Sequence, residues 1–159
     1  MTPAPRFPIL RSRGFWLTLW IGWFLTLFVL SSMRHPGPEI HVRHIDKVEH
    51  AVFFALGGAV LALWQLFPRK PHSGGVAAVI SYPAPEPVRQ ASVGGSALLV
   101  VLTGAAVGWF DEWHQSFTPG RSGLDVYDWM ADITGSLLAV PLALGILRFL
   151  KRRQQANRD

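Results

Sequence analysis

Seven of the ten acidic residues in this 159-residue chain fall in two short stretches. The first is Asp46-Lys47-Val48-Glu49-His50. The second runs from Asp111-Glu112 through His114, Gln115 and Arg121 to Asp125, Asp128 and Asp132. Residues four apart share a helix face, so Asp46 can meet His50, and Asp111 can meet Gln115, with His114 alongside. An imidazole oriented by a carboxylate is a general acid–base arrangement, with His50 as the candidate and Asp46 its partner. The same residue types are donors for zinc or manganese. However, no HExxH spacing occurs and His50 and His114 lie on different segments, so neither a metal nor another cofactor is expected. The chain has no Cys and no Ser in a nucleophile motif, which leaves covalent catalysis without a candidate. Two readings of the cluster stay open. One is an ion-pair and hydrogen-bond network that closes a helical bundle, with His50 as a cap. The other is a polar site for a lipid head group, a cell-wall precursor or an amphipathic antibiotic.

The elements that position these residues are apolar and long. Half the residues are hydrophobic, and uncharged stretches run over 14–33, 51–67, 91–110 and 133–147. Crossing a bilayer core takes about 20 mostly apolar residues. The fourth stretch gives only about 22 Å of helix at 1.5 Å per residue. To cross, it must draw in Trp129, Met130, Ala131 and with them Asp132. The expected spans are therefore about 14–33, 47–67, 91–110 and 129–148. The fold class that follows is an all-α membrane protein, a four-transmembrane-helix bundle over 14–150. It has an N-terminal segment 1–13, a Pro-rich linker 68–90 and a basic tail 151–159. Eleven Lys and Arg fall on the side of the termini and the second connection, against four on the other side. The positive-inside rule then predicts both termini in the cytoplasm, a multi-pass protein of the cytoplasmic membrane, and an outward-facing polar cluster. The first segment is long for a signal peptide and is read as a retained anchor. Its partner is the lipid bilayer. The net charge of +5 comes from residues at segment ends, and nucleic-acid binding is not expected. No inverted repeat suggests a transporter.

Local signals refine the picture. Gly57-Gly58 and the GxxxG pair Gly104/Gly108 predict close helix packing. Thr118-Pro119-Gly120 predicts a turn. Ser122-Gly123-Leu124-Asp125 resembles a capping box that would start the fourth helix. Arg121, on the turn into that helix, is the expected counter-charge for Asp128 and Asp132, which cannot sit unpaired at membrane depth. Lys47 would then serve Asp46, Glu49 or Asp111. His35, His41 and His44 read as solvated loop residues.

Three motifs together resemble the VanZ-like family of bacterial membrane proteins. They are Asp46-Lys47-x-x-His50-x-x-x-Phe54, Asp111-Glu112-x-x-Gln115-x-Phe117-x-Pro119-Gly120-Arg121, and Asp128-x-x-x-Asp132-x-x-Gly135. The likeness spans roughly residues 42–139 and departs at Asp132, where many members carry Asn. It implies a cell-envelope protein that modulates susceptibility to glycopeptide antibiotics, notably teicoplanin. Its binding site would be Asp46, Lys47, His50, Asp111, Glu112, Gln115, Arg121, Asp128 and Asp132. The alternative is a membrane enzyme that acts on a lipid-linked or cell-wall substrate through the same Asp/His/Arg cluster, metal-assisted in one version.

Overall fold

The computed structural model describes residues 12–34, 44–67 and 91–156. The linker at 68–90 and the loop histidines His35 and His41 lie outside the described residues. The described residues form four helices: α1 (Arg13–Ser31), α2 (Ile45–Leu66), α3 (Val93–Gln115) and α4 (Val126–Ala156). Each is long and apolar enough to cross a membrane, and no strand occurs among the described residues.

The boundaries have local causes. The hydroxyl of Ser92 accepts from the Gly95 N–H at 3.0 Å and caps α3. Helix α2 stops as Phe67 turns extended ahead of Pro68. Helix α3 runs on past Phe110, so that Asp111, Glu112 and Gln115 belong to its last turns. Helix α4 begins at Val126 and not at the Ser122 capping box. Asp125 is the cap, with Oδ1 accepting from the Tyr127 N–H at 2.8 Å. The Ser122 box fails because Gly123 and Leu124 both adopt positive φ, +45° and +57°, which no helix can contain. At 31 residues α4 is about 46 Å long, more than a bilayer core, and it continues through Pro141 to Lys151, Arg152 and Arg153.

Helix α2 is central and packs against all three others, most extensively against α4. Its buried residues Ala59, Ala62 and Leu63 form one core cluster with Val100 of α3 and Ala139 and Ala143 of α4. The outer faces remain apolar: Leu25, Leu102 and Leu138 are each more than half exposed. A continuous apolar exterior of this kind fits a multi-pass membrane protein better than a water-soluble bundle.

Close approach at α4 decides where the charged residues meet. A Cβ on Gly135 would collide with the backbone carbonyl of Ala51, so α2 and α4 touch backbone to backbone one residue after His50. On α3, a Cβ on Gly108 would lie 2.5 Å from Asp132 Oδ2. The α3 GxxxG face is thus used within the chain, with Gly104 against Ser136 and Gly108 against Asp132.

Candidate functional site

The ends of α1 and α3 and the beginnings of α2 and α4 come together at one end of the bundle. Three polar groupings form there. In the first, Lys47 Nζ reaches Asp128 Oδ1 at 2.7 Å, Asp125 Oδ2 at 2.8 Å and Asp46 Oδ2 at 3.0 Å. The ammonium hydrogen-bonds Asp125 and is ion-paired with Asp128 and Asp46. The hydrogen bond from Lys47 holds the Asp125 carboxyl below the usual carboxylate range.

The second grouping is a dyad. His50 Nδ1 lies 2.9 Å from Asp132 Oδ1, and Asp132 is fully buried. Asp132 Oδ2 packs against Gly108 and has no hydrogen-bond partner among the described residues. The third grouping is a chain. Asp111 accepts from the Ser31 hydroxyl and, at 2.7 Å, from Gln115 Nε2. The Gln115 carbonyl in turn accepts from the Arg121 guanidinium through Nε, at 3.1 Å, and Nη2.

Glu112 sits between these groupings and is 2% exposed. Its backbone carbonyl accepts the Leu124 N–H at 3.1 Å, and its Oε2 accepts the Asp125 N–H at 2.6 Å. One residue therefore grips the left-handed turn that delivers α4. Its Oε1 is buried without a hydrogen-bond partner among the described residues. A ring nitrogen of His50, a carboxylate oxygen of Glu112 and one of Asp128 lie within 4.8 Å of one another.

All nine residues expected from the sequence lie at this end, but several pairings differ from expectation. Arg121 is not the counter-charge of Asp128 and Asp132: Lys47 takes Asp128, and His50 takes Asp132. The reason is packing. The Gly135–Ala51 approach lays the start of α2 on the start of α4, while the turn folds Arg121 back onto the end of α3, where Gln115 meets it. His50 is likewise oriented by Asp132 and not by Asp46, whose side chain is 58% exposed and reaches Lys47 instead. His114 does not join Asp111. Its ring lies against Phe28 and Phe110, with centroids 4.6 and 6.2 Å away.

Two participants were not among the expected site residues. The sequence spacing places Asp125 in the acidic stripe with Asp128 and Asp132, and the fold makes it a contact of Lys47 as well as the cap of α4. Ser31 carries no sequence signal. It enters because α1 ends beside the α3–α4 turn, where Thr118 also donates to the Ser31 carbonyl at 3.0 Å. Compared with known protein families, with curated proteins and with solved structures, the chain matches none.

Proposed function

We propose that this chain is an integral membrane protein of the cell envelope, inserted with both termini in the cytoplasm. Its polar end faces outward and binds a polar head group, a cell-wall precursor or a glycopeptide, and so modulates glycopeptide susceptibility as the VanZ-like resemblance implies. The observation that carries this reading is convergence. Residues of three motifs, more than 80 positions apart at the extremes, meet at one end of the bundle, with Lys47, His50 and Asp128 neither deeply sealed nor fully solvated. Charges placed at membrane depth are expensive and are retained where they serve a site.

The test is expression in a teicoplanin-susceptible Gram-positive host. Susceptibility should fall with the wild-type chain and return with Asp128→Asn. Unchanged susceptibility at verified membrane expression would refute the glycopeptide role. Orientation is checked separately with a reporter active only outside the cytoplasm, which should work when fused after Gly123 and stay silent when fused to Asp159.

A second reading draws on the His50–Asp132 dyad. A buried carboxylate that orients an imidazole beside the acidic Glu112 is also the arrangement of a general base in a membrane enzyme acting on a lipid-linked or cell-wall substrate.

A further inference from the structure

This end of the bundle gathers six carboxylates, of Asp46, Asp111, Glu112, Asp125, Asp128 and Asp132, around the basic groups Lys47, His50 and Arg121. Arg121 is directed at Gln115 and lies outside the inner group. His50, Glu112 and Asp128 converge within that group. Glu112 brings an independent sign of a missing ligand: its carboxylate is almost wholly buried, Oε2 is committed to the Asp125 N–H, and Oε1 has no hydrogen-bond partner among the described residues. A buried acceptor without a partner forfeits its hydration without replacement, and the loss is greater when it is charged.

We propose that His50, Glu112 and Asp128 bind one divalent transition-metal ion of the zinc or manganese class, with Asp132 positioning His50. The proposal rests on reading this end as a binding site and names the ion that site takes. Ligand atoms about 2.1 Å from a metal are at most about 4.2 Å from each other. The three donor atoms lie within 4.8 Å of one another, close to that spacing. His50 turns Nδ1 to Asp132 at 2.9 Å, so Nε2 is the nitrogen left to ligate. A metal-bound histidine characteristically donates its other N–H to a carboxylate, which fixes the ring and its tautomer. The imidazole selects the class of ion: magnesium and calcium prefer oxygen alone, whereas one nitrogen with carboxylates suits zinc and manganese. Three protein ligands leave a coordination position open for an exogenous anionic or carbonyl group.

The experiment uses the full chain purified in detergent and titrated with MnCl2, with bound Mn²⁺ read by electron paramagnetic resonance. One Mn²⁺ should bind per chain, and ZnCl2 should displace it at lower concentration than MgCl2 or CaCl2. His50→Gln should weaken Mn²⁺ binding at least tenfold, and Asp132→Asn about 10–100-fold through loss of the positioning bond. Glu49→Gln, an exposed neighbour on the same helix, should bind as wild type. Helical circular dichroism and size-exclusion elution of each variant establish that it is folded. The wild-type titration does not depend on any variant folding. No bound Mn²⁺ or Zn²⁺ up to about 1 mM, the weak end of specific affinity, would overturn the proposal. Equal competition by calcium, or a folded His50→Gln that binds as wild type, would overturn it as well. Susceptibility measured on the same variants separates the two readings. Metal binding without a teicoplanin effect removes only the glycopeptide role, and a teicoplanin effect in a chain that binds no metal removes only the ion.

Discussion

Replacing Lys47 by Met keeps the length of the side chain and removes the ammonium that three carboxylates share. The three contacts are unequal. Asp46 is 58% exposed, and a pair so open to solvent is worth no more than about 0.5 kcal/mol. Asp125 is 30% exposed and Asp128 only 13%, with the shortest contact, at 2.7 Å. Leaving an enclosed carboxylate without its partner costs about 3–5 kcal/mol at full burial. Discounted for the remaining solvent access, the substitution should cost about 3 kcal/mol in all, most of it through Asp128. For a domain of this size that corresponds to a fall in Tm of about 6–12 °C. The assay is thermal unfolding in detergent, run as two double-mutant cycles. The cycle of Lys47→Met with Asp128→Asn should show about 2 kcal/mol of coupling, because Asn needs no counter-charge. The cycle of Arg121→Ala with Asp132→Asn should be additive within about 0.5 kcal/mol, since Arg121 bonds Gln115 and Asp132 bonds His50. Additivity in the first cycle, or strong coupling in the second, would refute this assignment of counter-charges.

Two backbone positions offer independent checks. Gly135→Ala places a Cβ against the Ala51 carbonyl and 3.0 Å from the Ala55 nitrogen, so α2 and α4 must separate. The expected loss is about 2–3 kcal/mol, and a Tm within about 1 °C of wild type would mean that the helices are not so close. Leu124→Gly should act the other way: the residue is 53% exposed and held at φ +57°, so relief of strain should stabilise the chain by about 0.5–1 kcal/mol. Destabilisation in urea or thermal unfolding would show that the Leu124 side chain matters more than its backbone.

The four helices were legible because their signal is local. An uncharged run of the right length needs no knowledge of its neighbours, and the argument that α4 must carry Asp132 inward used helix rise alone. Membership of the polar end was legible for the same reason, since acids at three- and four-residue spacing mark one helix face wherever the helix goes. The pairings were not. Arg121 stands closest in sequence to the acidic stripe, and proximity along the chain made it the natural counter-charge. What decides the matter is a contact between residues 84 apart, Ala51 and Gly135, which sets the rotation and height of α2 against α4. A glycine in an apolar helix announces close packing but not the helix that will approach it.

Glu112 shows the same boundary from the other side. As a motif residue it reads as one more acid in a cluster. In the fold its backbone carbonyl and Oε2 secure the Leu124–Asp125 turn, Oε1 is buried without a hydrogen-bond partner among the described residues, and the carboxylate lies close to His50 and Asp128. The turn requires only one of its oxygens. Gln at this position could accept the Asp125 N–H equally well, so anchoring alone does not call for a carboxylate. The second, buried oxygen has no hydrogen-bond partner among the described residues, and Lys47 is engaged by three other carboxylates. His50 is the cationic candidate that remains nearby, and its Nδ1 is engaged with Asp132. A carboxylate that its structural role does not require, close to an imidazole already oriented by a second carboxylate, is the feature on which the proposed ion site turns.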